Sequence, residues 1–261
     1  MGKVVFGAIM PHPPILVPTI GGKRLKLADK SLQGCRRAAV ELKKSNPDII
    51  IVVTPHGQVG QTAAPIYTNP IFEGSFGNFG QPKPVYSFHG LPKLANKLVN
   101  NCPLSTSSNE GLLDHGLLVP LYFVQEAGVK KPIIPVAVAM LPLPKLFEFG
   151  QQLATVIMAG EEKVAIIASA DMSHRLTPEA PAGYSPRGKE FDEKLVALIK
   201  ANDVQGVLNF DPTLAEEAGQ DALWSIAILL GVLDGLNAKQ EVLSYEGPFG
   251  VGYMTAIWNI Q

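Results

Sequence analysis

The sequence predicts an α/β fold: a single domain over residues 1–261, built on a mixed, largely parallel sheet with helices on both faces. Three observations predict it. Short runs rich in β-branched residues alternate with stretches of helical spacing along the chain. In Asp48–Thr54 and Lys163–Ser169 the apolar residues are consecutive rather than alternating, as in strands buried on both faces. No repeat, linker or charge block divides the 261 residues, a length able to bury one large core.

The elements follow in order. Val4 to Met10 reads as a strand that stops at Pro11. Ser31 to Ser45 has helical spacing in Leu32, Cys35, Ala38, Ala39 and Leu42, and ends at Asn46-Pro47. The strand Asp48–Thr54 stops at Pro55. Residues 57–84 are rich in Gly and Pro and read as an irregular loop with short strands at 64–68 and 84–88. That length exceeds an ordinary connection, which marks the loop as functional or mobile. Leu91–Asn100 and Leu117–Ala127 read as helices, Pro132–Ala139 as a strand, and 144–158 as a helix. After Lys163–Ser169 comes an amphipathic helix, Pro186–Ala201, with Phe191, Leu195, Leu198 and Ile199 on one side. Short helices near 203–217 precede a buried helix from Asp221 to Leu233. Gln240–Tyr245 and Val251–Trp258 close the chain as two strands around Gly247-Pro248-Phe249-Gly250.

Composition excludes several function classes. Apolar residues are 46% and charged residues 17% of the chain, which excludes disorder. With 22 Lys and Arg against 23 Asp and Glu the net charge is −1, so no basic footprint for nucleic acid exists. No window approaches the roughly 18 unbroken apolar residues of a membrane span. The apolar N-terminus is broken by Pro11, His12, Pro13 and Pro14, which excludes a signal peptide. Cys35 and Cys102 form no CxxC pair, so they read as buried thiols in a reducing cytoplasmic setting.

The chemistry concentrates in the histidines. His12 lies just past the first strand, His56 past the second, and His174 past Lys163–Ser169. In an open α/β sheet, ligands bind beyond the carboxyl ends of the strands. Three imidazoles there converge if their strands are parallel neighbours. Glu246 ends a fourth strand, and His115 follows Asp114 at the start of a helix. Prolines beside His12 and His56 stiffen the backbone, which suits a metal ligand. His89, at a strand–loop junction, reads as an ordinary loop residue. Two imidazoles and a carboxylate form the facial set of non-haem Fe(II) oxygenases, and the same donor types hold catalytic zinc.

The blocks MPHPP at 10–14, TPHG at 54–57, LDHGLLVPL at 113–121, SADMSH at 169–174 and YEGPFGVGY at 245–253 share one order and spacing. In these the chain resembles the LigB-like class III extradiol ring-cleaving dioxygenases over nearly its whole length. The nearest resemblance is to a branch associated with the AmmeMemoRadiSam system, with Memo proteins as distant relatives of the same fold. The resemblance implies Fe(II) held by His12, His56 and Glu246, with His174 as the active-site base and His115 as a second acid–base group. It further implies a small aromatic diol and O2 as substrates, extradiol cleavage of the ring, a homo-oligomer, and a separate partner protein of that system. Zn2+ on the same ligands, acting as a hydrolase, and a Memo-like metal-binding protein without turnover are the alternatives.

Secondary assignments follow. Asp114 reads as a helix cap ahead of a role in orienting His115. Asp221, which opens the late apolar helix, reads as another cap or as support behind the metal ligands. Phe72, Phe76 and Phe79 read either as an apolar lid over a flat substrate or as pins for a long loop. Phe79 and Tyr184 are the expected substrate-lining residues.

Overall fold

Along the chain, β1 (Lys3–Met10) leads through the one-turn α1 (Pro18–Gly21) to α2 (Asp29–Ser45) and β2 (Ile49–Thr54). Next come β3 (Ala64–Tyr67), β4 (Ile71–Phe76), β5 (Gln81–His89), α3 (Pro92–Asn101), β6 (Ser105–Ser108) and α4 (His115–Glu126). β7 (Ile133–Ala137), α5 (Leu143–Met158) and β8 (Lys163–Ser169) complete the middle of the chain. The last third holds α6 (Pro186–Lys200), α7 (Val204–Leu208), α8 (Pro212–Ala218), α9 (Ala222–Val232) and the pair β9 (Ala238–Glu246) and β10 (Tyr253–Ile260). The computed structural model describes residues 2–261; Met1, the first residue of the expected domain, lies outside them.

Eight strands form one sheet in the order β6-β3-β7-β2-β8-β1-β10-β9. Its centre, β7-β2-β8-β1, is parallel throughout. β10 runs antiparallel to β1, and β9 antiparallel to β10. The consecutive apolar runs occupy the centre because both faces there are covered, and every residue of β2 and β7 is buried. One face packs against α5, α6 and α9, and the other against α2 and α4. α5 and α9 cross closely because each offers a glycine. A Cβ on Gly150 would stand 2.2 Å from the Ile228 carbonyl, and one on Gly231 would stand 2.0 Å from that of Phe147.

The stretch read as an irregular loop holds more structure than expected. β4 and β5 pair as a separate two-stranded ribbon turning over Gly77–Phe79. Its sequence hides this because glycines and prolines interrupt the alternation, and pairing with a neighbour overrides weak local preference. Phe72 and Phe76 are buried and pin the ribbon, whereas Phe79 at its tip stays 40% exposed. β6, Ser105–Ser108, also escapes the sequence reading; its four polar residues form a strand only because they pair with β3.

The parallel centre positions the chemistry. β2, β8 and β1 are adjacent and point the same way, with Met10 opposite Ser169 across β1 and β8. Their carboxyl ends therefore deliver His12, His56 and His174 to one edge, as the sequence predicts.

Candidate metal centre

His12 is 1% exposed and is held at its backbone and at both ring nitrogens. Its backbone N–H donates to Asp171 Oδ1 at 2.9 Å, which ties the turn after β1 to the turn after β8. Its Nδ1 lies 2.9 Å from Ser169 Oγ, and that hydroxyl donates to the Gly116 carbonyl at 2.5 Å. Its Nε2 faces His56 Nε2 at 3.0 Å.

His56 is set by the turn after β2. Its N–H donates to Thr54 Oγ1 at 3.1 Å, and that hydroxyl donates to Asp114 Oδ1 at 3.0 Å. The same Oδ1 accepts from Leu117 N, so Asp114 does cap α4. Helix α4 can approach this closely because residue 116 is glycine. A Cβ there would meet Thr54 Oγ1 at 2.5 Å and the His56 ring at 3.0 Å. His115, the first residue of α4, completes a three-histidine cluster in which one ligand atom from each ring lies within 4.8 Å of the others. Its ring centroid is 4.2 Å from that of His56 and 5.5 Å from that of His12.

The carboxylate at this centre belongs to Asp221. Its Oδ2 lies 3.4 Å from His12 Nε2 and 3.4 Å from His56 Nε2. Its Oδ1 accepts from the Asp171 backbone N–H at 3.0 Å. Asp221 makes no capping bond to α9; the side chain turns from the helix to the histidines. The reading of Asp221 as a cap is thereby corrected.

Glu246 does not join this group. Its Oε1 accepts from Ser31 N at 2.6 Å and from Ser31 Oγ at 2.8 Å, in the first turn of α2. The expectation of Glu246 as third ligand is corrected for a topological reason. β9 ends at the same sheet edge as β1, but β10 lies between them. Two inter-strand steps, roughly 10 Å, separate the strand ends. Asp221 comes from a loop that crosses the edge beside β8 and β1.

Charge sharpens the picture. Burial disfavours the charged form of His12, but Asp171 and Asp221 outweigh it and raise its pKa to about 9. Burial lowers His115, and the neighbouring His12 and His56 lower it further, to about 3. Burial would raise Asp221, but the histidines around it hold its carboxyl well below the usual range. Asp171 is raised, chiefly by burial.

His174 stands at the rim, half-buried. Its Nδ1 lies 3.0 Å from the Met172 carbonyl. A carbonyl only accepts, so Nδ1 carries the proton and Nε2 of the neutral ring is the basic nitrogen. The loop bearing it is anchored by buried Asp192, which accepts from Ser173 N at 2.9 Å and from Tyr245 Oη at 2.8 Å. Of the expected substrate-lining residues, Phe79 packs 5.4 Å from the His115 ring, while Tyr184 is 60% exposed on the loop beyond His174. His89 is exposed at the end of β5.

The donor set fits one divalent ion. Donors at about 2.1 Å from an ion stand about 3.0 Å apart at octahedral angles and about 3.4 Å apart at tetrahedral ones. The triangle of His12 Nε2, His56 Nε2 and Asp221 Oδ2 has edges of 3.0, 3.4 and 3.4 Å. Two imidazole nitrogens facing each other beside a carboxylate need a proton or a cation between them.

Fold and centre together define a class: an α/β protein with a two-histidine, one-carboxylate centre across the carboxyl ends of adjacent parallel strands. The chain belongs to the LigB family, its residues 7–256 matching the catalytic LigB subunit of aromatic ring-opening dioxygenase. It is 33% identical over 258 residues to Protein CA_C1420 of Clostridium acetobutylicum, covering 94% of this chain and 55% of that protein. The chain thus spans about half the length of that relative. It is 23% identical over 252 residues to the 3,4-dihydroxyphenylacetate 2,3-dioxygenase of Escherichia coli, covering 89% and 91% of the two chains. It is 26% identical over 221 residues to a 4,5-DOPA dioxygenase extradiol-like protein of Schizosaccharomyces pombe, covering 76% and 71%. The crystal structure of the uncharacterized Escherichia coli K12 protein JW3007 shares the fold, with a TM-score of 0.67 at 18% identity over 97% of this chain and 99% of that one. No helix among the described residues is long and apolar enough to cross a membrane.

Proposed function

We propose that this chain is an extradiol-type dioxygenase whose Fe(II) is held by His12, His56 and Asp221 and whose substrate is a catechol-like aromatic diol. The carrying observation is the donor triangle with edges of 3.0, 3.4 and 3.4 Å. A ligand set of two imidazoles and one carboxylate leaves positions open for a chelating diol and for O2. Fe(II) there supplies the electronic path between diol and O2 that the protein's own side chains lack.

The chain's residues do the rest. His174 takes a proton from one diol hydroxyl at Nε2, the nitrogen left basic by the Met172 carbonyl. His115, neutral at working pH, would offer a ring N–H as a hydrogen-bond donor beside the centre. Phe79 at the ribbon tip covers the aromatic ring and keeps water from it. Both atoms of O2 enter the product as the carbon–carbon bond beside the diol breaks, leaving an aldehyde and a carboxylic acid, so no external reductant is consumed.

The test is oxygen uptake by protein purified without oxygen and loaded with Fe(II), over a panel of catechols. Uptake with a yellow ring-opened product, lost in Asp221→Ala and kept in Glu246→Ala, is the expected result. Iron bound at one per chain with no uptake on any catechol overturns it.

A second reading rests on the three-histidine cluster, whose ligand atoms lie within 4.8 Å of one another. Three imidazoles with an open position can hold a catalytic zinc with its activated water, which a hydrolase could use. Loss of metal in His115→Ala but not in Asp221→Ala favours that reading.

A further inference from the structure

The helix α4 contains a proline at position 120, one turn into its apolar body. Proline has no N–H, so it cannot donate to the carbonyl four residues earlier. That carbonyl belongs to Gly116, and it accepts from Ser169 Oγ at 2.5 Å. The hydroxyl has one proton, and a carbonyl can only accept it. Facing His12 Nδ1 at 2.9 Å, Ser169 Oγ must therefore act as an acceptor. The proton of that contact then sits on Nδ1.

We infer that Ser169, aimed by the Gly116 carbonyl that Pro120 leaves free, is a positioning residue that holds His12 in the Nδ1–H form, with Nε2 presented to the centre. The chain of bonds runs one way: His12 Nδ1 donates to Ser169, and Ser169 donates to Gly116. All three positions are buried, so water does not compete for these bonds. Asp171 and Asp221 lie on the Nε2 side of the ring, at 3.8 and 3.4 Å, and so do not select the Nδ1 proton. A ring whose far nitrogen donates to a fixed acceptor is the arrangement that orients metal-binding histidines in general. The consequence for metal affinity rests on the proposed centre; the bond pattern itself does not.

The test has two readouts. In metal-free protein, proton–nitrogen correlation spectra should show an exchange-protected N–H at His12 Nδ1, told from the Nε2 site by its couplings to the ring carbons and assigned to His12 by its loss in His12→Gln. Ser169→Ala should remove that protection and Ser169→Thr should keep it. An unprotected Nδ1 in the unaltered protein, or protection that survives Ser169→Ala, overturns the inference whether or not the centre takes a metal. In the second readout, Zn2+ as probe ion is titrated against a chelator. Ser169→Ala should weaken binding about tenfold or more, with Ser169→Thr restoring it. Pro120→Ala should weaken binding less, yet melt higher, because an alanine at that position has an N–H that can close the helical bond to Gly116. Unchanged zinc affinity in Ser169→Ala overturns the positioning role. A Pro120→Ala variant that melts higher with no loss of affinity overturns the part given to Pro120. Zinc affinity that is also unchanged in His12→Ala speaks instead against the metal centre.

Discussion

Two regions at the same sheet edge each offer a carboxylate, and they do opposite things. In the crossing beside β8, Asp221 is nearly enclosed, bound by the Asp171 backbone and 3.4 Å from both His12 and His56. At the outer strand β9, Glu246 meets only the hydroxyl and N–H of Ser31 and stabilises the start of α2. The first acid is surrounded by imidazoles and held ionised; the second serves a helix terminus. Asp221 follows a polar stretch and opens an apolar helix, whereas Glu246 ends a strand, and neither setting announces which acid meets the histidines. What separates them is the strand order, which places β10 between Glu246 and the histidines.

The largest expected effect breaks the comparison outright. Asp221→Ala should lose stoichiometric iron, measured by metal analysis after desalting, while Glu246→Ala retains it. The reverse outcome would restore Glu246 as the ligand and sink the reading of the donor triangle. Next comes His174→Gln, which should keep metal but lower kcat on a catechol by roughly 100- to 10,000-fold, the usual contribution of one general base. Equal kcat in the variant removes the base assignment.

A smaller effect concerns the anchor of the His174 loop. Burial raises the Asp192 carboxyl from 3.8 to about 7, against the hydrogen bonds from Ser173 and Tyr245 that lower it. The folded state therefore holds this proton to higher pH than the unfolded chain does. Its contribution to stability is fully present below pH 3.8 and is lost as pH rises through about 7. Asp192→Asn should flatten that part of the stability–pH curve, seen by urea denaturation at pH 5 and pH 8; a slope unchanged by the substitution would contradict the assignment. Glu246→Ala should cost only about 1 kcal/mol of stability, the usual worth of a helix-terminus bond. Least affected is Phe79→Ala, expected to raise KM several-fold with little change in kcat, since Phe79 touches the site from a partly exposed ribbon tip. A kcat loss matching the KM change would place it in the chemistry instead.

Much of the architecture was legible because burial writes itself into composition. Asp48–Thr54 and Lys163–Ser169 read as two-sided buried strands, and β2 and β8, which they form, lie at the centre of the sheet. The prolines at 11 and 55 marked strand ends, and the histidines just after them do converge. A short strand at 84–88 was legible and lies within β5, but its partner β4 and the strand β6 were not, since Gly74 and four serine or threonine residues carry little strand preference of their own. Asp221 was visible only as an acid opening an apolar helix, a position where capping is the common role. A bond pattern of Ser169 with His12 and Gly116 joins residues 157 and 53 positions apart, which no local pattern announces.

By itself the sequence determined the central strands and most helices, the edge at which chemistry gathers, and the imidazoles that supply it, because hydrophobic runs, prolines and strand-end placement act locally. The tertiary structure alone decided which acid stands beside the histidines, which histidine nitrogen faces it, and which aromatic packs on His115. Those choices depend on strand order and on hydrogen bonds between distant residues, and both are set only when the sheet closes and its loops pack across one another.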